Sequence, residues 1–213
     1  MSTTAPFGFR PVRHTDGSPW NGQTIACVPA SGTAIFIGDL VAFNGSAATG
    51  SVGGVDAAGL PTVIRATGTA VGQDAAGVVV GFAPEPANLN RLHMGAVAAD
   101  VKVAYVAPVT PNTVFEVVAD ESGTVFATTM ADVMMNHALV TTAGSTVTGR
   151  SNMMVQAGSA ATTSTLPVRV IGVSKRVGNA VQTATTTIAT TSGGVVLDII
   201  FNTSKFATNS VGI

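Results

Sequence analysis

Val101-Lys102-Val103-Ala104-Tyr105-Val106 alternates along its length, with Val101, Val103 and Tyr105 on one side and Lys102, Ala104 and Val106 on the other. A period of two residues marks a β-strand, whose successive side chains point to opposite faces, and one of these faces is assigned to a core. Outward from this strand, short runs rich in Val, Ile, Phe and Thr recur between clusters of Gly, Pro, Asn and Asp. They are Ala34-Ile35-Phe36-Ile37, Leu40-Val41-Ala42-Phe43, Pro61-Thr62-Val63-Ile64, Gly77-Val78-Val79-Val80-Gly81-Phe82, Thr113-Val114-Phe115-Glu116-Val117-Val118, Leu166-Pro167-Val168-Arg169-Val170-Ile171 and Val195-Val196-Leu197-Asp198-Ile199-Ile200-Phe201. The last is apolar on both faces except at Asp198, the pattern of a strand sandwiched between sheets or sealed at a subunit contact. The pattern predicts a mainly β chain, an antiparallel β-barrel or β-sandwich with at most one or two short helices. Helical spacing is best at Met130, Val133, Met134 and His137, which predicts a short helix or turn over 130–139. Segments 44–59 and 141–165, dominated by Gly, Ala, Ser and Thr, read as long loops or weak strands, and Thr183–Thr191 as one solvated strand.

Residues 1–23 carry Pro6, Gly8, Pro11, Gly17 and Pro19, all opposed to regular structure, interleaved with Phe7, Phe9, Trp20, Arg10 and Arg13. A disordered tail is polar and poor in aromatics, whereas Phe, Trp and Arg are the residues favoured as anchors in binding pockets. The segment therefore reads as an extended N-terminal arm lying on a neighbour; the other arrangement is an arm packed on its own domain. Residues 24–213 form the β-rich domain. The Pro108-Val109-Thr110-Pro111-Asn112 segment is where two lobes of similar size would divide.

Only 10% of the 213 residues are Asp, Glu, Lys or Arg, against roughly 25% in an average soluble domain. Ten basic and eleven acidic side chains must serve a folded surface on the order of 9,000 Å². So sparse a surface suits either a Thr/Ser/Asn-coated β-protein or a chain partly hidden in an assembly, where charge is depleted at the buried centre; the second is the working reading. Net charge of −1 and a pI near 6.2 provide none of the positive field that draws a protein to nucleic acid, so no nucleic-acid partner is expected. Mean hydropathy is +0.45, yet it comes from Ala and Val scattered among Gly and Thr, and no apolar stretch approaches the roughly 20 residues of a spanning helix. No membrane partner is expected, and the N-terminal residues lack the basic and apolar regions of a secretion signal. The sequons at Asn44 and Asn202 then carry no meaning.

The inventory for chemistry is small. Cys27 sits in the apolar run Thr24-Ile25-Ala26-Cys27-Val28 and reads as a buried structural thiol. His14, His93 and His137 stand in unrelated contexts, with no pair at i, i+4 and no Cys/His cluster, so no metal site is expected. No phosphate-cradling loop, dinucleotide fingerprint or nucleophile elbow is present, and no cofactor or catalytic residue is assigned. Asp39, Asp100, Asp120, Glu121, Asp132 and Asp198 are the carboxylates from which an acid pair would be drawn, and spacing alone brings no two together. Asp39 follows Gly38 between two apolar runs and reads as a turn or bulge residue.

Several blocks resemble a family of tailed-bacteriophage virion structural proteins encoded near the major capsid protein. Phe7-Gly8-Phe9-Arg10-Pro11-Val12-Arg13-His14 with Gly17-Ser18-Pro19-Trp20-Asn21-Gly22 is similar to its opening motif, and Ala34-Ile35-Phe36-Ile37-Gly38-Asp39-Leu40-Val41 to the next block. Phe115-Glu116-Val117, Gly144-Ser145-Thr146-Val147-Thr148-Gly149-Arg150-Ser151 and Leu166-Pro167-Val168-Arg169-Val170-Ile171-Gly172 resemble its later half. The family usually carries an acidic, aromatic-rich stretch before its Phe-Glu block, and Val106–Asn112 is here nearly uncharged. The resemblance implies a non-enzymatic capsid decoration, or cement, protein, assembled in the host cytoplasm and located on the outer surface of the virion. Its expected partners are the major capsid protein and itself, as a homotrimer or dimer. The expected contact residues are Phe7, Phe9, Arg10, Pro11, Arg13 and Trp20, and truncating residues 1–22 is expected to abolish capsid binding and leave a folded domain. The other readings are a head fibre, tail-tube or baseplate component and, more distantly, a β-rich phage hydrolase.

Overall fold

The computed structural model describes residues 5–30, 32–66, 75–86, 88–121, 132–179 and 194–206. Among them the apolar runs, ended by Gly and Pro, form twelve strands: β1 (Arg10–His14), β2 (Ile25–Pro29), β3 (Leu40–Ala47), β4 (Pro61–Arg65), β5 (Ala75–Phe82), β6 (Ala104–Pro108), β7 (Thr113–Asp120), β8 (Asn136–His137), β9 (Leu139–Val140), β10 (Met154–Gln156), β11 (Val168–Val173) and β12 (Val196–Phe201). The chain is mainly β, and its described helical content is two 3-10 turns at Ala98–Asp100 and Ala157–Ser159.

Strands β2-β4-β3-β5-β6 close into a barrel, and the other seven build a sheet in the order β8-β11-β12-β7-β10-β9, with β1 added beside β7. Two pairings, β2 with β4 and β7 with β10, are parallel, and the rest are antiparallel. The central strand β7 pairs along one edge with β12. Its other edge is shared, β1 covering Thr113–Glu116 and β10 covering Ala119–Asp120. The chain leaves the barrel at Pro108 and enters the sheet at Thr113, while β1 carries the N-terminal segment into that second sheet.

Successive residues of β3 and β5 serve two cores. Val41 and Val79 point into the barrel with Cys27, Ile35, Val63, Met94, Ala104 and Val106. Their neighbours Leu40 and Val78 point out and join Phe115, Val117, Leu197, Ile199 and Phe201 of the sheet. This two-sided burial explains why Gly77–Phe82 reads as a continuous apolar run rather than an alternation. In the 101–106 segment the lysine-bearing side is the one that fills the barrel, with Ala104 and Val106. Lys102 is 2% exposed, its Nζ donating to Arg91 O at 2.8 Å and lying 3.3 Å from the Glu85 carboxylate.

One expectation is narrowed and two are revised. Of the short helix or turn expected over 130–139, residues 132–135 form the turn, because Met134 adopts φ +67° and the turn pairs with β11, Met134 N–H on Val170 O at 2.7 Å and Val170 N–H on Met135 O at 3.1 Å. Tertiary pairing here overrides the 3.6-residue spacing; Met130 and Ala131 lie outside the described residues, as does Thr183–Thr191. Ala34–Ile37 is not a strand and makes only isolated bridges, Ile35 to Met94 and Ile37 to Arg150. Residues 10–14, read as part of an irregular arm, are a strand of the second sheet.

Candidate groove beside the N-terminal strand

The N-terminal segment is laid onto the barrel by two glycines. Gly8 has φ +73° and Gly38 φ +94°, both in the region glycine enters without steric cost. Phe9 N–H donates to Gly38 O at 2.9 Å, and Gly38 N–H donates to Val79 O at 2.7 Å. A Cβ on Gly8 would collide with Gly38 O and the Ser151 side chain, and one on Gly38 with Phe7 O. The 144–151 loop closes on the same place: Ile37 N–H donates to Gly149 O at 3.0 Å and Ser151 N–H to Ile37 O at 2.8 Å. Across the sheet, Arg10 faces Glu116 and Pro11 faces Phe115. Four blocks far apart in the chain are thus joined, 7–14 to 35–41 and to 115–117, and 35–41 to 144–151; residues 115–117 are buried, and the other three blocks reach the surface together.

There an open groove of about 410 Å³ lies between the N-terminal segment and the barrel. One wall is Phe7, Phe9, Arg10, Pro11 and Trp20, five of the six residues expected to make contacts; the other is Ile37, Gly38, Val79, Val80 and Arg150. The sixth, Arg13, lies elsewhere, its guanidinium 3.0 Å from the Asp198 carboxylate. Burial divides the set. Phe9 is 2% exposed, with its ring 5.3 Å from that of Phe201, and Pro11 is buried; both serve the chain's own core. Phe7 and Trp20 are half-buried, and Arg10 is exposed. The segment is therefore part of the fold, and deleting residues 1–22 would strip a strand from β7 and a ring from the core. Point variants replace truncation as the test.

Two buried carboxylates hold the walls. Glu116 accepts from Ser174 Oγ at 2.6 Å, is paired with Arg10, and has Arg176 at 3.7 Å. Those two guanidiniums also sit 5.4 and 5.7 Å from the Phe7 ring centroid, a cation–π arrangement that pins the ring. Burial alone would raise the Glu116 carboxyl, but the Ser174 hydroxyl and the Arg10 and Arg176 charges outweigh it and hold its pKa below the ordinary value. Asp39, fully buried, accepts the Phe36 N–H at 2.9 Å and meets Arg65 at 3.2 Å; Arg65 also donates to the Thr141 and Thr142 carbonyls, tying the barrel to the chain beyond β9. For Asp39 burial wins, pushing its pKa up against the Ser151 hydroxyl, the Arg65 charge and the Phe36 N–H.

The remaining candidates stand apart. Cys27 is fully buried in the barrel, and burial raises its thiol to about 11. His93 stacks on Phe36 with ring centroids 5.0 Å apart; burial, then Arg91 and Lys102, lower its pKa. His137 is buried between two backbone carbonyls, Nδ1 at 3.2 Å from Gln156 O and Nε2 at 3.0 Å from Asp132 O. Asp198 stands opposite Glu116 in the β7–β12 register, but both are engaged by arginines. Among the described residues no group of three or more His, Cys, Asp or Glu side chains is arranged to hold a metal. Sequence reasoning missed Glu116 as a structural carboxylate and Ile37, Val79, Val80 and Arg150 as groove residues. The signal present was that Glu116 and Arg150 lie inside the blocks quoted above.

What the fold defines is a mainly β protein, a barrel and a sheet sharing one core, with a surface groove where the N-terminal strand crosses the barrel. Neither family models, nor curated proteins, nor solved structures gave a match to the chain.

Proposed function

We propose that this chain is a capsid decoration protein, binding the outer surface of an icosahedral tailed-phage head in many copies and bridging major capsid protein subunits. The observation that carries the reading is that three separated blocks, each resembling the virion family, supply walls of one groove, Phe7 to Pro11 with Trp20, Ile37 with Gly38, and Arg150, and that its rim exposes aromatic and arginine side chains. Next to it, two loops carry large exposed apolar side chains: Leu89 at 71%, Leu92 at 53% and Val97 at 59% on one, Val147 at 88% on the other. The loops touch where Gly149 packs against Leu92. Apolar side chains beside aromatic and arginine anchors are the composition of a protein-binding face. A cement protein works by binding, through contacts multiplied by shell symmetry. In this reading Phe7, Arg10 and Trp20 make the contacts, Phe9, Pro11 and Arg13 hold them in place, and the chain associates as a trimer.

Quantitative mass spectrometry of purified particles tests the proposal by counting this chain against the major capsid protein. A ratio near one, or a simple fraction set by the threefold or twofold axes, is the expected result. A few copies per particle would assign the chain to tail or vertex, and its absence from particles would overturn a virion role.

A further inference from the structure

Six of the seven arginines are engaged within the chain. Arg10 and Arg176 share Glu116, Arg13 meets Asp198, Arg65 meets Asp39, and Arg91 meets Asp100. Arg169 donates to Asn136 Oδ1 at 3.1 Å. Arg150 differs: it is exposed, and among the described residues no side chain or carbonyl meets its guanidinium. Its backbone is nonetheless fixed. Arg150 bridges Ile37, and its carbonyl accepts the Ser145 N–H at 2.8 Å. An uncommitted cation is therefore anchored at the rim of a groove of about 410 Å³ whose walls include Phe7, Trp20, Ile37 and Val80. Across the groove Arg10 and Arg176 outnumber the one carboxylate between them, so both rims are positive, although the chain as a whole carries −1.

We propose that the groove seats a short acidic segment of a partner protein, an apolar side chain entering the recess and an adjacent Asp or Glu carboxylate pairing with Arg150. The inference rests on the decoration reading and deepens it by naming the chemistry of the surface that is gripped. A guanidinium pairs with a carboxylate through short, charge-assisted hydrogen bonds, and the apolar walls give the neighbouring side chain a place to lose water. Nucleic acid fits poorly, because a phosphate backbone calls for a long track of free cations and this groove offers one.

Trp20 is the only tryptophan and lines the groove, so its fluorescence reports occupancy in the full-length protein. The probe is acetyl-Glu-Phe-Glu-amide, with acetyl-Lys-Phe-Lys-amide and acetyl-Glu-Gly-Glu-amide as comparisons. The expected result is a saturable change in Trp20 emission with the first peptide, weakened about tenfold or more with either comparison peptide and in R150E. No saturation by about 5 mM, an equal response to the lysine peptide, or an unchanged response in R150E would overturn the assignment. The titration needs no particles, so the two proposals fail separately: acidic-peptide binding with few copies per particle sinks the decoration reading alone, and shell-wide copy number with a silent groove sinks this one alone.

Discussion

On the barrel side of the groove, Asp39 is sealed from water and shares its buried site with Arg65 at 3.2 Å; on the sheet side, Glu116 is nearly as buried but meets Arg10 and Arg176, both of which reach solvent. The two carboxylates titrate in opposite directions, Asp39 upward because desolvation dominates and Glu116 downward because a hydroxyl and two guanidiniums outweigh it. Each carboxylate faces three partners, so their number does not set the direction; the balance between those partners and the depth of desolvation decides. The barrel wall is keyed by a pair that cannot be broken on one side without stranding the other charge, and the sheet wall by a cluster that tolerates losing one member. Asp39→Ala should cost about 3–5 kcal/mol, since Arg65 is left as an uncompensated buried charge. Urea denaturation measures this. A loss below about 1 kcal/mol would mean that the Thr141 and Thr142 carbonyls satisfy Arg65 unaided and that the two walls are held alike.

Acid sharpens the same contrast. Glu116 has a folded pKa below its ordinary 4.5, so its contribution is complete above that value and is lost as pH falls through the folded pKa. Asp39 has a folded pKa above its ordinary 3.8, so its contribution is complete below 3.8 and falls as pH rises through the folded pKa. Glu116→Gln keeps the bond to Ser174 and loses the charge facing partly exposed arginines, a cost of about 1 kcal/mol near neutrality. That gap to the parent protein should narrow as the pH falls below 4.5 through the folded pKa, read from urea midpoints across the range. A gap that stays constant with pH would show that Glu116 contributes through packing and not through its charge.

The strands were legible where burial is simple. Leu40–Phe43, Pro61–Ile64, Gly77–Phe82, Thr113–Val118 and Val195–Phe201 each lie within or overlap an observed strand, because apolar runs between turn residues have few other ways to bury themselves. What local pattern could not show is pairing across distance. Arg10–His14 has little β character of its own and becomes a strand because the first half of β7 presents an open edge to it. Met130–Leu139 has the helical period but is turned at Met134, where the neighbouring β11 backbone supplies hydrogen bonds. The groove was half legible: its aromatic and arginine wall stood out in residues 7–20 as anchors in an irregular segment. The opposite wall comes from Ile37, Val79, Val80 and Arg150, which only the fold brings there. The same residues also show where composition misleads, since Phe9 has the chemistry of an anchor and is spent on the core.

Trp20 separates the two uses of the N-terminal segment most cleanly. Its backbone N–H closes the hairpin on Val12 O at 3.2 Å, a bond that any non-proline residue preserves, while its half-buried ring lies along the groove rather than in either core. Trp20→Ala should therefore lower stability by less than about 1 kcal/mol, the smallest effect of the three on the fold. On the decoration proposal, the same variant should lose occupancy on purified particles, because large aromatic residues carry a disproportionate share of interface energy. Measuring its urea midpoint and its copy number in one preparation puts stability and binding on the same molecule. A stable variant that still decorates particles fully would place the binding surface away from the groove, on the loops that carry Leu92 and Val147.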